Sequence, residues 1–177
     1  MRHLTIKQKG LEADDLAAWI VGKKEDFGIE EIWLISSDKD WDLLIQDKVS
    51  RFSTVTRKEI TLDNWEDHYD VEPDKYLTLK CLAGDTGDNV PGIAGIGPKR
   101  AVSLIEQYGD LFDIYNACPI DSKYKFIQTL NENADRLLLN AELMDLESYS
   151  EQAIIEADMN IEDLFSQILE YLNEVRD

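Results

Sequence analysis

Residues 82–105 read LAGDTGDNVPGIAGIGPKRAVSLI, and the rest of the chain is organised around this stretch. It places acidic residues, a Pro-Gly turn and a glycine hairpin directly before an amphipathic helix. Gly95 and Gly97 flank Ile96 and are free to take positive φ, so a tight turn can present backbone groups outward. Pro98 suits the first position of a helix because its missing N–H needs no partner there. The pattern predicts a hairpin that leads into a helix.

The predicted helix over residues 99–108 begins with Lys99 and Arg100, beside the unpaired N–H groups of its first turn. Basic side chains at this end oppose the helix dipole. A bound phosphate would neutralise both positive sources at once, so the pattern indicates an anion site. A turn that only connects two helices is the alternative. The coincidence of two glycines, a proline and a basic pair in one short window favours phosphate.

The composition is that of a globular protein without a membrane partner. The chain has 177 residues, of which 44% are hydrophobic, enough for one ordinary domain or for a larger domain with a piece missing. No apolar run approaches the length of a bilayer span, and the start MRHLTIKQKG lacks a signal-peptide core. Cys81 and Cys118 have no metal-ligand spacing, which favours free thiols in a reducing compartment.

The net charge of -19 argues against nucleic-acid binding until its distribution is considered. Residues 1–60 hold 10 Lys and Arg against 12 Asp and Glu, whereas residues 121–177 hold 4 against 14. The acidity is therefore concentrated near the C-terminus, where acidic helices are most often a solvated surface. An acidic cluster inside the chain can instead be a metal site, whose cations reverse the local sign.

Hydrophobic periodicity predicts an α/β first third followed by an all-helical region. We expect strands over residues 4–7, 32–35 and 49–56, and helices over residues 11–21, 62–69, 73–82, 99–108, 110–117, 124–140 and 161–175. The initial order of strand, helix and strand predicts a partial parallel sheet, whose ligands gather at the carboxyl ends of the strands. The predicted divisions are an α/β region over residues 1–72, a helical region with the hairpin over residues 73–145, and an acidic helical tail over residues 146–177.

Three acidic groups lie where such a site can form: Glu12, Asp14 and Asp15; Asp38 and Asp40; and Asp85 and Asp88. Crowded carboxylates repel and mostly protonate unless divalent cations neutralise them. Oxygen-only ligands suit Mg²⁺ or Mn²⁺, and two such ions about 4 Å apart can hydrolyse a phosphodiester. For the first group, simple capping of a helix N-terminus is the alternative. Together the three groups indicate hydrolytic nuclease chemistry.

The succession GLEADDLAA, SSDKDWDLL, GDTGDN and GIAGIGPK resembles the 5′-nuclease or flap endonuclease family, and most of all its bacteriophage-type members. The resemblance extends over roughly the first 145 residues. In that family the helix-hairpin-helix grips the phosphodiester backbone of duplex DNA without reading sequence. The resemblance therefore implies a DNA-binding role for Gly95, Gly97, Lys99 and Arg100, and a partner that is DNA with a 5′ flap or a branched duplex.

The resemblance also implies roles for the carboxylates. Glu12, Asp14 and Asp15 would be ligands near a first metal, Asp38 would lie between the metals, and Asp40, Asp85 and Asp88 would hold the second, with Glu12, Asp14 and Asp38 as the catalytic residues. The complete site would contain two Mg²⁺ or Mn²⁺ ions, and K⁺ at the hairpin stays open. The implied location is the cytoplasm, which is that of the host if the chain is phage-encoded.

The chain departs from the family pattern ahead of GLEADD. In the family, a long segment that includes acidic strand ends and a basic helical arch precedes this motif, whereas this chain begins about one strand before it. We therefore expect an incomplete sheet whose edge is covered by an N-terminal half, by self-association or by local rearrangement. Little cleavage by the chain alone is expected.

Two other functions stay open from the sequence. The chain could be a non-catalytic module that grips duplex DNA, or an acidic interaction subunit with vestigial metal motifs. Binding of divalent metal separates the nuclease from both alternatives. Salt-dependent DNA binding separates the second function from the third.

Overall fold

The computed structural model describes residues 3–176, which form two compact units. Unit 1 combines the residues up to Glu59 with those from Leu146 onward, and unit 2 is Ile60–Asp145. The strands are β1 (Ile32–Ile35), β2 (Val49–Phe52), β3 (Glu59–Ile60), β4 (Gly84–Asp85) and β5 (Val90–Pro91). The helices are α1 (Ala13–Gly22), α2 (Tyr76–Ala83), α3 (Pro98–Tyr108), α4 (Leu111–Ala117), α5 (Lys125–Glu132), α6 (Asp135–Met144), α7 (Leu146–Glu156) and α8 (Ile161–Arg176), and 3₁₀ turns cover Lys39–Leu44, Trp65–Asp67 and Pro73–Lys75.

Unit 1 contains a small sheet with a parallel pair of strands, but not the pair that the sequence predicted, because residues 4–7 form no strand and β1 pairs with β2 instead. β1 and β2 run in the same direction with Ile32 opposite Val49, and β3 follows in the order β1-β2-β3. Leu34 and Val49 are buried against Ala18 of α1, so the apolar strands form a core with the first helix. This mixed start, followed by a mostly helical chain, confirms the predicted fold class.

A second core in unit 1 joins the two ends of the chain. The rings of Trp19 and Phe27 pack edge to face with centroids 5.9 Å apart, and Leu164 and Ile168 of α8 pack in the same core. The acidic tail is therefore amphipathic, with a buried apolar side. The guanidinium of Arg176 also donates to the carbonyl oxygen of Phe27 at 3.0 Å. Across residues 3–176, every helix is too short or too polar to cross a bilayer.

Unit 2 is built from helices α2 to α6 around one apolar core, to which α3 contributes Leu104 and Ile105. Local signals determine where its helices begin. Pro98 occupies the first turn of α3, and the carboxylate of Asp110 accepts two backbone N–H groups of α4 in a capping box with Asp113. These caps hold the hairpin and the following helix in place.

Several sequence predictions were wrong at the level of single elements. Residues 4–7 are irregular because Leu4 and Ile6 pack into a core instead of pairing with a strand. The strand predicted over residues 49–56 ends at Phe52, since a turn in which Arg57 N–H donates to Ser53 O at 2.8 Å follows it.

The helical predictions also needed correction. Only Trp65–Asp67 is helical within residues 62–69, and the helix predicted over residues 124–140 is interrupted between α5 and α6. α7 lies within the predicted acidic helical tail, but no separate helix was predicted there, because α7 buries few residues and shows little amphipathic contrast. The division at residues 72 and 145 stays a prediction, while by contact the tail groups with the first 59 residues.

Candidate metal centre and nucleic-acid interface

The acidic group of unit 1 forms where α1 begins and where β1 ends. Trp41 donates its indole N–H to Asp14 Oδ1 at 2.7 Å, which joins the 3₁₀ turn after β1 to the first turn of α1. Asp38 caps that turn, with its Oδ1 accepting the backbone N–H of Asp40 at 3.0 Å. The structure thereby brings Asp14, Asp38 and Asp40 within electrostatic reach of one another.

The electrostatics of this group centre on Asp14. Burial raises the pKa of Asp14, the hydrogen bond from Trp41 opposes this, and the charges of Asp38, Glu12 and Asp40 raise the pKa further. The carboxylate of Asp14 is thus repelled by three neighbouring carboxylates. A divalent cation would relieve that repulsion.

Asp15 has a different environment from Asp14. Burial raises the pKa of Asp15, and a hydrogen bond from the backbone N–H of Glu12 acts in the opposite direction. That bond is the one expected of a carboxylate that caps a helix start. Capping therefore holds Asp15 at the start of α1.

A buried arginine ties down both ends of the loop that carries Asp38. Arg51 of β2 donates to the carboxylate of Asp42 through Nε at 2.5 Å and Nη2 at 2.9 Å, and its Nη1 donates to Ser36 O at 2.9 Å. Arg51 is 3% exposed and Asp42 is 2% exposed. The two-pronged contact fixes the loop geometry, since a guanidinium matches a carboxylate in both distance and angle.

The acidic loop of unit 2 is organised by Asp85. Its Oδ1 accepts the backbone N–H groups of Gly87 at 2.8 Å and Asp88 at 3.2 Å, while Oδ2 accepts from Lys80 Nζ at 2.5 Å. The hydrogen bond from Lys80 is the main reason that the pKa of Asp85 is lowered, and burial acts against it. This loop is therefore ordered and partly neutralised by the protein itself.

Two glycines let the chain cross itself at the base of the same loop. Gly84 has φ +80°, and a Cβ there would lie 2.3 Å from the backbone nitrogen of Gly92. A Cβ on Gly92 would lie 2.5 Å from Leu82 O, the carbonyl that accepts from Ile93 N–H. No side chain fits between backbones this close, so the motif requires glycine at both positions.

A buried amide completes the base of the loop. Asn140 of α6 is 0% exposed, and its Nδ2 donates to Cys81 O and to Pro91 O, both at 2.9 Å. Because both partners are carbonyl oxygens, the side-chain nitrogen must face them. Asn140 thus ties the end of α2 to β5, on either side of Asp85 and Asp88.

The hairpin before α3 uses only one of its glycines for an unusual conformation. Gly95 has φ +85°, which favours glycine, and Ile96 is buried below it. Gly97 caps α3 with φ -91° and ψ -177°, an extended conformation open to any residue. Positive φ, which the sequence allowed at both glycines, therefore occurs at Gly95 and does not occur at Gly97.

The two basic residues of α3 differ in their surroundings. Both are exposed, but Arg100 Nη1 donates to Gly95 O at 2.6 Å, and the guanidinium lies 4.5 Å above the ring of Phe126. Arg100 therefore braces the hairpin as well as adding charge beside the free first-turn amides of α3. Lys99 offers its charge to solvent.

Sequence reasoning missed the residues that hold these loops: Arg51, Lys80, Gly92, Asn140 and Phe126. The Pro-Gly turn at Gly92 was the one local signal. Arg51 and Asn140 act on carbonyls 15 and 59 residues away, which no local pattern reveals.

The donor set of both loops fits a hard divalent cation. The candidate side chains are carboxylates, and oxygen ligands are those that Mg²⁺ and Mn²⁺ prefer. Carboxylate repulsion around Asp14 gives such an ion a favourable place to bind.

Comparison with known proteins gives a consistent set of relatives. The family described as 5′-3′ exonuclease, C-terminal SAM fold, matches residues 71–167. The flap endonuclease of Escherichia phage T5 is 42% identical over 164 residues, which cover 92% of this chain and 56% of that protein. DNA polymerase I of Rhizobium leguminosarum is 35% identical over 141 residues, covering 80% of this chain and 14% of the polymerase.

Solved structures show the same similarity. A pseudo-enzyme-product complex of the bacteriophage T5 flap endonuclease with DNA and metal ions matches with a TM-score of 0.85 at 39% identity, over 97% of this chain and 62% of that one. The T5 D15 protein co-crystallised with metal ions matches with a TM-score of 0.82 at 38% identity, over 98% of this chain and 62% of that one. The chain thus spans less than two thirds of these relatives.

Proposed function

This chain belongs to the 5′-3′ exonuclease family, and from that membership we propose that it is the metal-binding and duplex-gripping part of a structure-specific 5′ nuclease. Its substrate class is DNA with a 5′ flap or a branched duplex, and its place is the cytoplasm. The observation that carries the proposal is the acidic group of unit 1, where the hydrogen bond from Trp41 joins the turn that carries Asp38 and Asp40 to Asp14 at the start of α1.

The carboxylates would share two divalent ions, Mg²⁺ or Mn²⁺. Glu12, Asp14 and Asp15 belong near the first ion, Asp38 between the two, and Asp40, Asp85 and Asp88 at the second, with Glu12, Asp14 and Asp38 as the catalytic residues. When bound, such ions activate a water and stabilise the leaving oxygen of a phosphodiester. The protein contributes loops whose carboxylates are held in place before an ion arrives.

The hairpin would hold the duplex. Free amides at the start of α3 and the exposed Lys99 suit a phosphate, while Gly95 and Gly97 allow the backbone to come close. Arg100 already donates to Gly95 O, so a K⁺ ion would use other carbonyl oxygens of the hairpin.

Activity of the whole enzyme would need an N-terminal half or self-association. β1 is the outer strand of the order β1-β2-β3, and Trp33 and Ile35 on it are 41% and 59% exposed. An outer strand with apolar side chains is a template for another strand. We place the N-terminal half of the nuclease fold at this edge.

One observation favours a second function. The hairpin, its brace Phe126 and the clamp Asn140 all lie in unit 2. A non-catalytic module that grips duplex DNA would need nothing more. An acidic interaction subunit would bind neither metal nor DNA.

Metal binding tests the proposal most directly. Titration calorimetry with Mn²⁺ should give saturable binding to the native chain and none to Asp38→Asn, which keeps the shape and removes the charge. The matched control is Glu170→Gln, on the exposed side of α8, which should bind Mn²⁺ as the native chain does. Identical isotherms for native protein and Asp38→Asn would remove the metal site.

Cleavage tests the dependence on a second half. A 5′-flap substrate with Mg²⁺ should be cut poorly by this chain alone and well after a separately expressed N-terminal half is added. Robust cleavage that follows the chain alone through size exclusion, and that is lost in Asp38→Asn, would show that the carboxylates present suffice.

A further inference from the structure

Residues 123–126 read KYKF and form a second feature beside the hairpin, which the proposed function does not use. We name Lys123, Tyr124, Lys125 and Phe126 the α5 ledge, since they lie at the start of α5. Lysines alternate with aromatic rings here, a pattern typical of surfaces that bind single-stranded nucleic acid.

The α5 ledge is joined to the hairpin by stacked side chains. The rings of Tyr124 and Phe126 have centroids 5.7 Å apart and planes inclined by 25°, and Arg100 covers Phe126 at 4.5 Å. The same guanidinium donates to Gly95 O, and Lys123 Nζ lies 5.9 Å from the Tyr124 ring. Hairpin and ledge are therefore one packed surface within unit 2.

This surface is open to solvent and is shaped to receive a flat group. Tyr124 is 57% exposed, and the ring beside it, that of Phe126, is covered by Arg100. A cleft of about 320 Å³ combines the aromatic faces of Tyr124 and Phe126 with the guanidinium of Arg100, hydrogen-bonding side chains and one carboxylate, that of Asp121. A second cleft, of about 270 Å³, links Gly95 to Lys125.

The charge distribution identifies a polyanion as the occupant. Residues 60–145 hold 16 Asp and Glu against 7 Lys and Arg, and four of those seven cations are Lys99, Arg100, Lys123 and Lys125. A basic island on an otherwise acidic unit is complementary to a phosphate backbone. An exposed ring between those cations is suited to a base.

We propose that Tyr124 is a stacking platform for one unpaired nucleobase of a DNA strand whose phosphates lie along Lys99 and the α5 ledge. The inference rests on the proposed DNA-binding function. The base must be unpaired, because both faces of a paired base are covered by its neighbours in the duplex. Phe126 and Arg100 hold the ring in position, and the partner is a junction between duplex and single strand.

The test measures affinity and salt dependence for two DNA molecules, without Mg²⁺ so that no strand is cut. One is a fully paired duplex, and the other is the same duplex with an unpaired 5′ strand. Tyr124→Ala should weaken binding of the second by about tenfold and leave the slope against salt unchanged, since no charge is lost. Lys99→Ala should weaken the binding of both DNA molecules and should reduce the slope of log affinity against log salt concentration by roughly one unit.

Controls separate stacking from other effects. Tyr124→Phe should bind like the native chain, and Phe112→Ala removes a ring that is 62% exposed on α4 and should change nothing. Abasic sites in the unpaired strand should lower the affinity of the native chain for this DNA to the affinity that Tyr124→Ala shows for the intact strand. They should not lower the affinity of Tyr124→Ala any further. That coincidence identifies the base as the group contacted.

Each contrary outcome has a distinct meaning. If Tyr124→Ala binds both DNA molecules like the native chain, the inference fails while the proposed function stands. If Tyr124→Ala weakens the binding of both DNA molecules equally, the ring contacts sugar and phosphate, and base stacking is refuted. If the native chain binds no DNA even at low salt, both the inference and the duplex-gripping function fail.

Discussion

The acidic loops of the two units are built alike at their bases and differently in their charges. In unit 1 the loop with Asp38 is tied at both ends by the buried side chain of Arg51, and in unit 2 the loop with Asp85 is tied at both ends by Asn140. Each clamp comes from a later element of the chain, β2 in unit 1 and α6 in unit 2. Both loops are thereby held in shape without a ligand.

The charges are arranged in opposite ways. In unit 1 the buried cation pairs with Asp42, and burial raises the pKa of Asp14, with the neighbouring carboxylates adding to the effect. In unit 2 the clamp is neutral, and the cation Lys80 lies directly on the loop, where it lowers the pKa of Asp85. A divalent ion should therefore gain most from repulsion in unit 1, whereas in unit 2 it competes with an ammonium group.

Removing the charged clamp should have the largest effect. Arg51→Met leaves the carboxylate of Asp42 buried without its guanidinium, and we expect it to lower the free energy of unfolding by about 3–5 kcal/mol. Chemical denaturation measures this, with the exposed Arg57→Met as control. Adding Asp42→Leu to Arg51→Met should restore much of the loss. A loss below about 1 kcal/mol would mean that the pair is not the main support of the loop.

Removing the neutral clamp should cost less. Asn140→Leu leaves two carbonyl oxygens without a donor but no buried charge, so we expect a loss of about 2–3 kcal/mol by the same denaturation measurement. Asn116→Leu, on the exposed side of α4, is the matched control and should stay within about 0.5 kcal/mol of the native chain. If Asn140→Leu lowered the free energy of unfolding more than Arg51→Met, the neutral clamp would support its loop more strongly than the charged clamp, which is the reverse of what we expect.

Replacing the loop carboxylates themselves should change the free energy of unfolding least, and the changes in the two units should have opposite signs. Asp14 has a raised pKa in the folded chain, so its ionisation opposes folding at neutral pH, and that penalty disappears as pH falls through the raised value. Asp14→Asn should therefore stabilise the metal-free chain at pH 7 by a few tenths of a kcal/mol. The gain should shrink on acidification, starting above pH 3.8.

Asp85 should behave in the reverse manner. Its pKa is lowered in the folded chain, so its ionisation supports folding above the unfolded value of 3.8, and this support is lost only as pH falls through the lowered value. Asp85→Asn should destabilise the chain at pH 7 by about 1 kcal/mol. Thermal unfolding of both variants between pH 3 and pH 7 checks the pair. Equal signs for Asp14→Asn and Asp85→Asn would break the contrast between the units.

The sequence could predict whatever a few neighbouring residues determine. Pro98 at the start of α3, the strand Ile32–Ile35 and the acid-rich loop around Asp85 all follow from local chemistry. It did not predict that Arg100 would be engaged by Gly95 and Phe126, because that contact joins α3 to α5. The energetics of a site depend on such distant neighbours.

Elements with a weak local pattern were missed or misassigned for a related reason. Residues 4–7 have the alternation of a strand, yet Leu4 and Ile6 find apolar partners in a core to which α8 also contributes. In α7 the buried residues include Ile154, whose partners belong to the same core. Tertiary packing decides both segments, and a local pattern carries little of that information.

The discontinuity of unit 1 has a consequence for the order in which the nascent protein folds. Unit 2 is one uninterrupted stretch, so every partner in its core has been synthesised before Leu146 is added. Trp19 and Phe27 are made before unit 2, whereas Leu164 and Ile168 of the same core are made after it. A long flexible segment between those partners would be entropically costly to close, and earlier folding of unit 2 lowers that cost. The part of unit 1 that precedes unit 2 therefore keeps apolar side chains uncovered until unit 2 has been made, and during that time chaperones and proteases can bind it.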